Sequence, residues 1–112
     1  MKTLIFLTII LTISSFAMAE DLNCRVKQNT EVIYANNFNL PVNSSANLGE
    51  FGSFRIKVNN FGKSMFQIEV FDGDIPARNY TDGVLRNAND QLRWSVWNRE
   101  ILLEAICTLI KK

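Results

Sequence analysis

Between Phe54 and Val70 apolar and polar residues alternate, and a segment with that period buries one whole face only as β-strand. Phe54, Ile56 and Val58 fall on one side, with Arg55 and Lys57 on the other. After Asn59-Asn60-Phe61-Gly62-Lys63 the chain returns as Phe66, Ile68 and Val70, alternating with Gln67 and Glu69. The two runs predict a β-hairpin turned at Asn59–Lys63, where Asn and Gly tolerate positive φ. Pairing across it is expected to bring Arg55 and Lys57 beside Gln67 and Glu69, a charge pairing worth ~0.2–1 kcal/mol.

Other segments follow the same period. Cys24 to Gln28 reads as a short strand, Cys24 and Val26 facing one way and Arg25 and Lys27 the other. Val32 to Phe38 is expected to be a second, ending in the Asn-rich, Pro-containing stretch Asn39 to Asn47. Leu92, Trp94 and Val96 alternate with Arg93 and Ser95. Ile101 to Ile110 is apolar on both sides, and such a strand belongs in the middle of a sheet or beneath a covering loop. Helix is the rival for this last segment, since Ile101–Ala105 has fair helical propensity, but its β-branched, cysteine-bearing second half favours strand. Asp72 to Gln91, the longest stretch without alternation, is expected to be a loop. With 112 residues and 47% apolar content there is material for one folded domain and not two. The expected fold is all-β: a small antiparallel β-sandwich or barrel of about six to eight short strands, held by one disulfide.

Residues 1–19 have the pattern of a cleaved secretory signal peptide: Lys2, an apolar run from Leu4 to Ile13, and the small-residue exit Ala17-Met18-Ala19. The apolar run is too short to span a bilayer as a mature helix. Cleavage leaves a single β domain, residues 20–112, formally neutral with 11 basic and 11 acidic side chains once Lys2 is removed. Export to the periplasm or the extracellular medium, with no stable membrane insertion, is the expectation, and Lys111-Lys112 reads as a solubilising tail. In an oxidising compartment two cysteines permit one intramolecular bridge, Cys24 with Cys107. They stand 83 positions apart, so the bridge ties the first strand to the last. In the loop-entropy description such a bridge is worth roughly 4 to 5 kcal/mol. No C-x-x-C accompanies it, which makes the reading structural and not redox.

The absence of His removes the Ser-His-Asp and Cys-His triads and imidazole-ligated zinc. The neutral balance gives no footprint for nucleic acid. Asp72-Gly73-Asp74 has alternate carboxylates, but the rest of a calcium loop is missing and a tight turn explains the same residues; Asp82-Gly83 is another turn signal. Asn43-Ser44-Ser45 and Asn79-Tyr80-Thr81 match the glycosylation sequon, as an Asn-rich chain does by chance. No catalytic, cofactor or metal site is expected. The candidate partner-binding residues are Trp97 and Arg93, on the strand face opposite Trp94, and Arg78 and Tyr80, in the expected loop.

The expectation is a small, exported, non-enzymatic binding or structural domain for a protein or glycan partner. The alternatives are an inhibitor of a secreted hydrolase, using the Asp72–Gln91 loop, and a small carboxylate-dependent hydrolase built on Asp72 and Asp74. Thiol labelling of the native, unreduced protein is expected to find no free cysteine; stoichiometric labelling would refute the bridge.

Overall fold

The structure is a computed structural model describing residues 19–110. The signal peptide expected over 1–19 (Ala19 apart) and the Lys111-Lys112 tail lie outside the described residues. Eight strands follow one another: β1 (Glu20–Gln28), β2 (Glu31–Leu40), β3 (Ser44–Phe51), β4 (Phe54–Gly62), β5 (Met65–Asp72), β6 (Ala77–Val84), β7 (Gln91–Asn98) and β8 (Ile101–Leu109). They form two four-stranded antiparallel sheets, β2-β1-β8-β7 and β3-β4-β5-β6, called here A and B. The sheets do not close into a barrel, so of the two expected architectures the chain adopts the sandwich. No described helix is long and apolar enough to cross a membrane.

Alternation decides which side chains enter the core. Leu22, Cys24 and Val26 of β1 and Leu103, Ala105, Cys107 and Leu109 of β8 face Phe54, Ile56 and Val58 of β4 and Phe66, Ile68 and Val70 of β5. Trp94 and Leu92 of β7 join them, with the Trp94 ring edge-on to Phe54 at 5.6 Å between centroids. Cys24 and Cys107 stand opposite each other in the β1–β8 ladder, their Cα atoms 4.1 Å apart, and the disulfide between them is fully buried. The doubly apolar β8 lies in the middle of sheet A, as its sequence requires.

Several local expectations change. Ala77–Val84, within the expected loop, is strand β6, and Ser44–Phe51, which begins inside the Asn-rich stretch, is β3. Both are edges of sheet B, paired on one side only, so much of each strand is exposed and carries little alternation. Asp82-Gly83 is thus inside a strand and not a turn; a Cβ at Gly83 would stand 2.9 Å from the Leu92 side chain, so the glycine lets β6 lie close to β7. The central hairpin turns later than expected, at Lys63-Ser64, both at positive φ (56° and 65°), as a two-residue turn matched to strand twist needs. Of the expected turn residues, Lys63 is in the turn, Asn59 pairs with Gln67, and the segment from Asn60 to Gly62 forms a bulge. Lys57 does pair with Glu69, whereas Arg55 stands opposite Phe71 and not Gln67.

Asn60, only 1% exposed, explains that bulge. Its Nδ2 donates to the Leu40 carbonyl at 2.9 Å and its Oδ1 accepts from the Gly62 amide at 2.9 Å. Its own carbonyl accepts from the Asn43 amide at 2.7 Å. One buried side chain therefore pins the crossing from β2 to β3 onto sheet B. Asn60→Ala leaves the buried Leu40 carbonyl and the part-buried Gly62 amide without these partners and is expected to cost about 2–4 kcal/mol, about 1–3 kcal/mol for the carbonyl and about 1 for the amide. Urea denaturation checks this, and a loss below about 1 kcal/mol would show that neither bond matters.

Candidate functional site

The polar sides of β3 to β6 make the outer face of sheet B, and register arranges them in rows. One row runs Glu50, Arg55, Phe71, Arg78; the next runs Asn47, Lys57, Glu69, Tyr80. Between them lies a shallow groove of about 230 Å³ lined by Asn47, Arg55, Lys57, Glu69, Phe71 and Arg78. Its floor is Phe71. The Arg55 and Arg78 guanidinium carbons sit 5.5 and 5.3 Å from the centre of that ring, one from each neighbouring strand. Cation–π attraction and a flat apolar support hold both groups over the sheet.

Glu69 is the carboxylate of the groove, its side chain only 13% exposed. It accepts from Arg78 Nη1 at 2.7 Å and Asn59 Nδ2 at 3.3 Å and lies 3.6 Å from Lys57 Nζ. Burial by itself would raise its pKa; the hydrogen bonds from Asn59 and Arg78 and the charges of Lys57 and Arg78 together outweigh it and hold the carboxyl below its ordinary value. The Arg55 Nε meets Glu50 at 3.4 Å, but both side chains are well exposed and water screens the pair. The groove thus presents guanidinium groups on an aromatic floor with its internal carboxylate already neutralised. Tyr80, 55% exposed, extends the aromatic surface along β6.

The four residues singled out from sequence do not converge. Arg78 and Tyr80 lie on the outer face of sheet B. Arg93 and Trp97 lie on the outer face of sheet A, where Trp97 is 69% exposed and stands beside Leu102, while Arg93 Nη1 meets Glu104 Oε2 at 3.4 Å. The groove adds Arg55, Lys57, Phe71 and Glu69. Alternation had already placed Arg55, Lys57 and Glu69 on one polar face. The missing signal was the pairing of β5 with β6, which brings Arg78 to that face. Asp72 and Asp74, the carboxylates of the hydrolase alternative, make a turn: Asp72 Oδ1 accepts from Ser53 Oγ and from the Asp74 amide, each at 3.0 Å.

No protein-family model matches the chain, and no curated protein or solved structure does so.

A carboxylate whose pKa is lower in the folded than in the unfolded chain adds stability that is complete above the unfolded value and lost as pH falls through the folded one. Glu69→Gln is therefore expected to be less stable than the parent at neutral pH and to approach it in acid. Denaturation midpoints of both proteins across that range check this; a gap independent of pH would remove Glu69 from the account.

Proposed function

We propose that this protein is a small exported, non-enzymatic binding module that captures a carboxylate-bearing glycan on the outer face of sheet B. The observation that carries the reading is the pair of guanidinium groups stacked on Phe71, with Lys57 and the exposed ring of Tyr80 alongside. Arg recognises a carboxylate through two parallel N–H donors, and a platform that fixes the guanidinium plane reduces the entropy lost on binding. Carboxylates are what these arginines already meet within the protein, at Glu50 and Glu69. Flat aromatic faces on a rigid sheet suit the apolar side of a sugar ring. Export is supported by the signal-like leader and the buried disulfide.

An inhibitor acting through a projecting loop has less to work with, because strand β6 takes up much of the segment meant to supply it.

Calorimetry with a short uronic-acid oligosaccharide and a neutral oligosaccharide of equal length tests the proposal. The acidic sugar is expected to bind, the neutral one not, and added salt to weaken binding. Arg55→Met/Arg78→Met, which keeps apolar stems over Phe71, is expected to lower the amount bound at saturation. Unchanged saturation would overturn the site, equal binding of the neutral sugar would overturn the role of charge, and binding of oligo-glutamate in place of the sugar would overturn the ligand class.

A further inference from the structure

An edge strand leaves a row of backbone N–H and C=O groups unpaired, a template for another strand unless a bulge, a proline or unmatched charge spoils it. The four edges of this sandwich differ in that respect. β2 bulges against β1, and β3 bulges against β4 between Asn47 and Gly49. β7 pairs evenly with β8 but carries Arg93 and no acid, so a second β7 would bring it no counter-charge. β6 pairs with β5 over all eight of its residues without a bulge, and it contains neither proline nor lysine. Among the described residues its other side has no strand in ladder with it.

β6 is also complementary to itself. Arg78, Tyr80, Asp82 and Val84 lie on its outer side, so Tyr80 stands midway between a cation and an anion. A second β6 laid antiparallel, with Tyr80 on the two-fold axis, sets Arg78 opposite the partner's Asp82 and Asp82 opposite the partner's Arg78. The two Tyr80 rings then face each other across the axis. The same register sets Asn79 opposite the partner's Thr81, polar with polar, and Ala77 opposite the partner's Gly83, small with small. Opposite charges and aromatic pairs directly across a ladder stabilise it, and no other antiparallel register of β6 with itself opposes the two charges.

Neither charge can be matched by the other within one chain, because four residues of strand span about 13 Å. Arg78 meets Glu69 through Nη1, while its side chain is 56% exposed and its guanidinium has further donors to give. Asp82 accepts from the Gln67 side-chain amide at 2.9 Å, and among the described residues it has no cation within ion-pair reach. Large apolar side chains are exposed along the same edge: Tyr80 at its centre, Val84 at its end and Ile75 in the turn before it. In the register centred on Tyr80, Val84 falls opposite the partner's Pro76, next to the partner's Ile75.

We infer that β6 is the interface at which a second copy of this chain pairs, antiparallel and centred on Tyr80, so that two B sheets become one sheet of eight strands. The two-fold axis stands perpendicular to that sheet. The outer faces of both copies, each with its row of Arg55, Phe71 and Arg78, therefore look the same way. The pairing needs no sugar and stands or falls apart from the proposed function.

Sedimentation equilibrium of the purified, oxidised protein, at low salt and up to about 1 mM, is the test. The parent is expected to be a dimer that added salt weakens. Asp82→Lys, which sets like charges opposite each other twice, is expected to keep the parent's circular dichroism and to be monomeric. If it does not fold, Tyr80→Lys, which sets two like charges on the axis, takes its place with the same expectation. Glu31→Lys makes the same change of charge on β2, the edge of sheet A away from β7, and is expected to remain dimeric. A parent that is monomeric throughout would overturn the inference, as would a dimer kept by the folded β6 variant or lost equally in Glu31→Lys. A species larger than a dimer would also overturn it, because two-fold pairing of one edge closes on itself. A monomeric parent that still binds the uronic-acid oligosaccharide would leave the proposed function standing.

Discussion

The pairing of β1 with β8 is the contact on which the remaining architecture depends. Every other described ladder joins strands adjacent in sequence, so each forms by closing a short turn. The β1–β8 ladder joins the two ends of the described chain and turns two separate hairpins, β1-β2 and β7-β8, into a four-stranded sheet. It is the pairing with the largest loop to close, and the Cys24–Cys107 disulfide lies within it, buried in the core. A bridge across so long a loop removes conformations chiefly from the unfolded chain, which is where an entropic penalty of this kind arises. The Asn29 turn at the end of β1 adds a local tie, its amide donating to the Leu102 carbonyl at 2.9 Å and its Oδ1 accepting from the Leu102 amide at 2.8 Å.

With sheet A closed, core and candidate sites come from the same residues read at even and odd positions. Cys24 and Val26 go inward while Arg25 and Lys27 go outward; Ile56 and Val58 go inward while Arg55 and Lys57 go outward. A carboxylate on an inner strand of a four-stranded sheet has neighbours on both sides and loses most of its water. It needs cations within reach, and Glu69 and Glu104 each have an arginine on the next strand. That requirement accounts for the ion pairs themselves. It does not account for Arg25, whose Nε is buried with no acceptor among the described residues, or for the exposure of Trp97.

How much was legible in sequence follows from burial. The inner strands β1, β4, β5 and β8 show clear alternation or a doubly apolar pattern, and each was readable. At the edges β7 was readable through Leu92, Trp94 and Val96, and β2 through its β-branched and aromatic residues. The edges β3 and β6 were not, because neither carries a run of alternating large apolar residues. The candidate site divided along the same line: Arg78 and Tyr80 were named as binding candidates from the sequence, but their place on a strand was not readable. Arg55, Lys57 and Glu69 stood on a visible polar face, but Arg78 and Tyr80 looked like loop residues until β6 was paired with β5.

The sequence by itself determined the fold class and the identity of the only possible disulfide, because a period of two and a pair of cysteines are local and countable properties. Tertiary structure decided what no window of residues contains: that the sheets stay open as a sandwich, that the hairpin turns at Lys63-Ser64, and that Arg78 and Arg93 reach opposite faces of the molecule. Those outcomes are set by register and by which strands become neighbours. Pairing is a property of two segments at once, and neither segment's own pattern of side chains contains it.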